Sequence, residues 1–267
     1  MDLGAERLLS LVENAGGFEV SRPRPFCAVL QPREPTERDF LHQDLLRPEH
    51  REAFFSVVDE VGLVVVRGVA ADPSRYRDVR GRSSRGRLSQ GEYYHHDGCS
   101  GPTKPRVVEI RCPHQPVART IATAVAPFPA TLYSMLRELP PQLRSREELA
   151  PWCEQLDAQG RLPEPELDMV QGLATRAVRK SLGAADARSY FRGVDQRCEA
   201  FDEPWQRGES RFIANANAGR TMQHRRAYAM SHDELGPSGK LLKRWPADPG
   251  VLDGPAQPSS APGNTPS

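Results

Sequence analysis

Apolar residues along this chain fall into a few helically spaced blocks and two short runs, and these predict most of the framework. Leu8, Leu11, Val12 and Ala15 recur at three- and four-residue intervals, which predicts a helix over 4–15, with Gly16-Gly17 as its stop. Phe54, Val57, Val58 and Val61 form an i, i+3, i+4, i+7 stripe on a second helix. That helix starts near Pro48, because the first helical turn tolerates a missing N–H. After Gly62 comes the apolar run 63–66, short enough and β-branched enough for a buried strand. Val107, Val108 and Ile110 mark a further strand. Amphipathic helices are predicted over 128–139, from Leu132, Met135, Leu136 and Leu139, and over 166–182, from Leu167, Val170, Ala174, Ala177 and Val178. Pro23, Pro25, Pro32 and Pro35 make 18–36 an expected extended or looping connector. Beyond Trp245 the chain is rich in Pro, Gly and Ser without apolar periodicity, so 247–267 is expected to be a disordered tail.

Composition narrows this picture without redirecting it. With 267 residues, 38% of them apolar, the chain can bury one substantial core, so 1–246 is expected to be a single domain with a helical insertion at about 126–185. A formal net charge of +1 argues against wholesale affinity for nucleic acid. The longest apolar stretch, Val61 to Val66, is too short to span a bilayer, and the N-terminus has acid where a signal peptide needs positive charge. Five widely spaced cysteines without a Cys-x-x-Cys pair fit a reduced, cytoplasmic setting. Nothing in the sequence sets an oligomeric state.

The chemistry concentrates at Tyr93-Tyr94-His95-His96-Asp97. On a strand, side chains two apart share a face, so His95 and Asp97 would converge while His96 faces away into packing. An imidazole nitrogen and a carboxylate oxygen are two-thirds of the two-His-one-carboxylate facial triad that holds Fe(II) with positions left open. Of the seven histidines, His224 is the chosen third ligand. It sits in Thr221-Met222-Gln223-His224-Arg225-Arg226, an expected strand with Gln223 and Arg225 on its opposite face. A second feature is the arginine-rich segment 75–87, which carries Arg82, Arg85 and Arg87 and a single acid, Asp78. It reads either as a solvated loop or as a lid offering guanidinium forks to an anionic substrate. Nucleic-acid phosphate ranks below both, for want of an aromatic stacking surface. Tyr93 and Tyr94 alternate in face, so one lines the pocket or both are core. Asn215 and Asn217 either turn the chain or line the pocket. His114 and His232 read as loop residues, and the three tryptophans as core anchors.

From Leu63 onward the order of parts resembles the Fe(II)/2-oxoglutarate-dependent oxygenases, in particular the taurine dioxygenase-like branch. The resemblance covers roughly residues 50–246. It rests on Val61-Gly62-Leu63-Val64-Val65-Val66-Arg67-Gly68, on Tyr94-His95-His96-Asp97-Gly98, on Arg119-Thr120-Ile121-Ala122-Thr123, and on Lys240-Leu241-Leu242-Lys243-Arg244-Trp245 after His224. It implies a mainly β fold with helical decoration around a double-stranded β-helix, or jelly-roll, core. It also implies Fe(II) on His95, Asp97 and His224, with 2-oxoglutarate as cosubstrate and molecular oxygen as oxidant. Thr120 and Arg244 would bind 2-oxoglutarate, with Lys240 and Arg226 as rivals for its distal carboxylate. Two departures stand out: the family's Gly-Gly-Asp-Thr reads Val117-Ala118-Arg119-Thr120 here, and the interval from His224 to Arg244 is long. A retained Asp97 favours hydroxylation, or another oxidation such as desaturation or ring closure, over halogenation, since related halogenases replace that carboxylate. The expected partner is a small, anionic or amino-acid-like metabolite. Two other readings stay open: a zinc hydrolase using the same ligands, and a non-catalytic jelly-roll binding protein whose arginine-rich loop contacts a partner.

Overall fold

The structure is a computed structural model that describes residues 3–69, 77–78, 93–97, 105–112, 122–215, 221–227 and 241–245. Helix α1 (Leu3–Ser10) stops short of the expected 4–15. The chain turns through Asn14 in the left-handed region (φ 57°) into a 3-10 turn at Ala15–Gly17. Asn tolerates that conformation better than most residues. Leu8 and Val12 are nonetheless both buried, so the apolar spacing served packing rather than a continuous helix.

Residues 18–36 were expected to be a connector and instead hold a hairpin of β1 (Phe18–Arg24) and β2 (Cys27–Pro32). The prolines are accommodated because β1 is the edge strand of its sheet and its register shifts between Ser21 and Arg24, where Pro23 needs no ladder N–H. Helix α2 (Pro48–Val61) then crosses to β3 (Leu63–Val66), as its apolar stripe predicts. It opens on Pro48 and closes on Gly62, whose N–H donates to the Val58 carbonyl at 2.7 Å with φ at 107°. Strand β3 lies parallel to β2 and is buried throughout.

The main sheet has the order β1-β2-β3-β7-β5-β9-β4, with β4 at Arg77–Asp78, β5 at Val107–Cys112, β7 at Glu209–Ala214 and β9 at Leu241–Trp245. Every pairing except β2 with β3 is antiparallel. A second sheet pairs β6 (Ala122–Pro127) with β8 (Met222–Ala227). The buried guanidinium of Arg211, on β7, ties the two sheets together. It donates to the Thr123 carbonyl on β6 at 2.9 Å, to Glu209 at 2.7 Å and to the Glu203 carbonyl at 2.7 Å, and it lies over Trp205 at 4.0 Å.

Five helices separate β6 from β7: α3 (Ala130–Glu138), α4 (Pro141–Arg144), α5 (Ala150–Gln159), α6 (Leu167–Ser181) and α7 (Ala184–Arg197). Helix outweighs strand among the described residues, so helices are more than decoration on a β fold. Helix α7 was not anticipated, although Ala187, Tyr190, Phe191 and Val194 give it a buried i, i+3, i+4, i+7 stripe. Arg188, Arg192 and Asp195 interrupt that stripe and mask it in sequence. The core is correspondingly in two parts, one around the main sheet with α1 and α2, the other among α3, α5, α6 and α7 against β6 and the Tyr93-Tyr94 segment. Among the described residues no helix is long and apolar enough to cross a membrane.

Candidate metal centre

Residues 93–97 do not form the expected strand. Their pairing with β8 is one antiparallel bridge, in which the N–H of His95 donates to the His224 carbonyl and that of His224 to the His95 carbonyl, each at 3.2 Å. A single bridge is enough for the chemistry, because directly opposed residues present their side chains on one face. The two imidazoles lie there with ring centroids 4.5 Å apart. The Tyr93 carbonyl is 2.7 Å from His95 Nδ1, so Nδ1 carries the proton and Nε2 is the atom with a lone pair to offer. That Nε2 lies 3.7 Å from Asp97 Oδ1.

Ligand atoms of His95, Asp97 and His224 all lie within 4.8 Å of one another, and they form the one such cluster among the described residues. Mutually cis ligands at about 2.1 Å from a shared ion lie about 3.0 Å apart, so a bound metal would draw the donors together from 3.7 Å between His95 Nε2 and Asp97 Oδ1 and from separations of up to 4.8 Å across the trio. Two imidazoles and one carboxylate are the donors of the facial triad, which leaves half of an octahedral shell for other ligands. The donor set therefore fits Fe(II).

Asn215, directly after β7, holds the carboxylate-bearing residue in place. Its Oδ1 accepts from the Asp97 N–H at 2.7 Å, while its Nδ2 donates to the carbonyls of Asp97 at 3.0 Å and Pro105 at 2.9 Å. The sequence left Asn215 between a turn and a pocket wall, and it is neither. The segment from His95 to Asp97 is thus anchored at His95 to the small sheet and at Asp97 to the main one.

The reverse face of the ribbon packs against helices. His96 is buried edge-on to Phe128, with centroids 5.3 Å apart, the packing role expected of it. Gln223 accepts a hydrogen bond from Thr131 of α3 at 2.6 Å. Tyr93 packs edge-on to Phe191 at 5.2 Å, and the Tyr94 hydroxyl donates to Asp195 at 2.7 Å, so both tyrosines belong to the helical core. Burial, with the Asp195 carboxylate beside it, pushes the Tyr94 hydroxyl well above the usual tyrosine range and keeps it a donor. Burial opposes the charge on Arg225, but its pairing with Asp195 outweighs that and holds the guanidinium above its ordinary value. Asp195 was missed in the sequence, where its signal was a lone acid between Val194 and Cys198 on an apolar stripe.

Arg244 belongs to β9 and pairs in register with Val108, and Arg226 belongs to β8 and pairs with Thr123. Thr120, Lys240, Arg82, Arg85 and Arg87 lie outside the described residues, as do His114, His232, Asn217 and the 247–267 tail.

No protein-family model and no curated protein sequence matches the chain. Solved structures similar to it include AAD-2 in complex with Mn(II) and N-oxalylglycine, at 11% identity and a TM-score of 0.44 over 85% of this chain and 96% of that one. Another is PvcB, an Fe, alpha-ketoglutarate dependent oxygenase from an isonitrile synthetic pathway, at 14% identity and a TM-score of 0.41 over 86% and 91%. A third is a taurine dioxygenase from Burkholderia xenovorans, at 11% identity and a TM-score of 0.41 over 85% and 88%. These likenesses are remote in sequence and partial in shape.

Proposed function

We propose that this chain is an Fe(II)- and 2-oxoglutarate-dependent oxygenase with a jelly-roll core that hydroxylates a C–H bond of a small anionic or amino-acid-like metabolite. The convergence of His95, Asp97 and His224 from two distant segments, with ligand atoms within 4.8 Å, carries this reading. His95 through Nε2, the Asp97 carboxylate and His224 hold the metal. Bound Fe(II), with 2-oxoglutarate and oxygen, supplies the oxidation of the C–H bond, and the cosubstrate leaves as succinate and carbon dioxide.

The chain's own task is positioning and shielding. Asp97 and His224 are buried while His95 is partly exposed, so the donors are shielded on one side and reached by solvent on the other. Arg244, with Thr120, anchors the distal carboxylate of 2-oxoglutarate through charge-assisted hydrogen bonds, with Lys240 and Arg226 as the alternatives. Arg82, Arg85 and Arg87 receive the anionic group of the substrate. The retained Asp97 carboxylate occupies the position that a halide would need.

The test is turnover of 2-oxoglutarate to succinate across a panel of small anions and amino acids, with Fe(II) and oxygen each omitted in turn. Succinate that requires both and rises with one member of the panel is the expected result, and Asp97→Ala and His224→Ala abolish it. Hydrolysis supported by Zn(II), with no consumption of 2-oxoglutarate, would instead make the same ligands a hydrolase site. Among Arg244→Ala, Lys240→Ala and Arg226→Ala, the first is expected to raise the KM for 2-oxoglutarate by roughly tenfold or more, the size of a lost hydrogen bond to a charged group.

A further inference from the structure

One carboxylate grips both histidine-bearing segments from behind. Asp195, on α7, accepts the Tyr94 hydroxyl at 2.7 Å and Nε of Arg225 at 2.9 Å through the same oxygen, Oδ1, while Nη2 of Arg225 closes on Oδ2. Tyr94 precedes His95 and Arg225 follows His224. Because His95 and His224 are directly opposed in the bridge, Tyr94 and Arg225 are opposed as well, on the other face of the ribbon. The guanidinium also lies over the rings of Tyr94, at 5.7 Å, and Phe191, at 5.2 Å. Gln171 of α6 reaches the Tyr94 carbonyl at 3.4 Å.

We infer that Asp195 is a positioning residue for the metal centre: through Tyr94 and Arg225 it sets the spacing of the His95 and His224 imidazoles, and so the affinity and geometry of the bound ion. The inference rests on the reading of His95, Asp97 and His224 as a metal site. Two physical arguments support it. A buried ion pair adds little net stability compared with well-packed apolar side chains, so a pair kept inside an apolar stripe is better explained by the geometry it specifies. Moreover, among the described residues the backbone contact between the two segments is a single bridge, which gives side chains a large part in fixing their separation and twist. Asp195 is bonded to a side chain from each.

The experiment is titration of the metal-free protein with Co(II) alone, following its ligand-field absorption, alongside urea unfolding of each variant without metal. Tyr94→Phe removes the link to the His95 segment and leaves the Asp195–Arg225 pair. Asp195→Asn removes the charge that holds Arg225. Tyr190→Phe is the control, because it deletes another buried bond of α7, to the Met135 carbonyl at 2.8 Å, without touching the ribbon.

Tyr94→Phe and Asp195→Asn are expected to weaken Co(II) binding by about 10- to 100-fold, the usual effect of losing a group that orients a ligand, and to alter the absorption spectrum. Tyr190→Phe is expected to lower stability while keeping the wild-type affinity and spectrum. Adding Tyr94→Phe to Asp195→Asn should weaken binding no further, because both act through one carboxylate. If Asp195→Asn does not fold, Tyr94→Phe decides alone. Wild-type affinity and spectrum in Tyr94→Phe and Asp195→Asn overturn the inference and leave the metal reading standing, as does a loss of affinity that Tyr190→Phe shares in proportion to its loss of stability. A wild-type protein that binds no Co(II) overturns the metal reading itself and the role of Asp195 with it.

Discussion

Asn215 is not one of the three candidate ligands, yet it fixes the backbone of Asp97. Its amide accepts from one backbone N–H and donates to two carbonyls, so it needs both a donor and an acceptor in a fully buried place. Asn215→Ala strands those groups and should lower unfolding free energy by about 1–3 kcal/mol in urea titrations. Asn215→Asp, despite its matching shape, should do no better, because a carboxylate cannot donate to the carbonyls of Asp97 and Pro105. A wild-type stability for Asn215→Asp would show that the amide does not donate as described. The grouping of His95 with Asp97 was read from their spacing of two, which is local information, whereas the approach of His224 comes from a bridge between distant segments. The role of Asn215 was not legible, since it joins residues 118 apart in the chain. Asp195 was hidden for the same reason.

Among elements, the opening of the core was the most readable part. Pro48, the stripe on α2, Gly62 and the run 63–66 are consecutive signals with one physical solution, a helix leading into a buried strand. The first hairpin was misread because prolines signal irregular chain unless the strand is known to be an edge, and edge position is decided by the whole sheet. Residues 93–97 were misread in the other direction: their strand-like pattern yields one bridge. The entry to β7 depends on Gly208, which has φ at 69°. Its N–H donates to the Cys112 carbonyl at 2.8 Å, and its carbonyl accepts from Val69 at 3.0 Å. A Cβ at Gly208 would sit 2.4 Å from the Val69 carbonyl oxygen. Gly208→Ala should therefore cost at least the roughly 1–2 kcal/mol of a left-handed non-glycine residue, read as a lower Tm, with the backbone clash adding to it. An unchanged Tm would mean that this turn is not formed as described.

For the whole molecule, the segment from His95 to Asp97 bridges two sheets, so the candidate site and the fold should respond together to conditions that loosen the interior. Burial pushes the Cys198 thiol up to about 11 and the Cys27 thiol up to about 12, both above the ordinary 9.0. The unfolded chain therefore releases these protons first as pH rises. Their contribution to stability is complete below about pH 9 and is lost as pH climbs through 9 toward 11 and 12. Unfolding midpoints should fall across that alkaline range, and iodoacetamide should leave both cysteines unmodified in the folded protein near neutral pH; rapid labelling would contradict their burial. The buried strand 63–66, the strand at Val107–Ile110 and a helical stretch before β7 follow from runs and stripes in the sequence. The closeness of the three ligands does not, because it arises only when the two sheets are tied together. The central claim is tested most directly by adding Fe(II) and then 2-oxoglutarate to the protein without oxygen and watching the visible charge-transfer band of the chelate. A band that saturates at one equivalent of each, and is lost in His224→Ala and Asp97→Ala, is the predicted result; no band in the wild-type protein, or one that survives both substitutions, would contradict it.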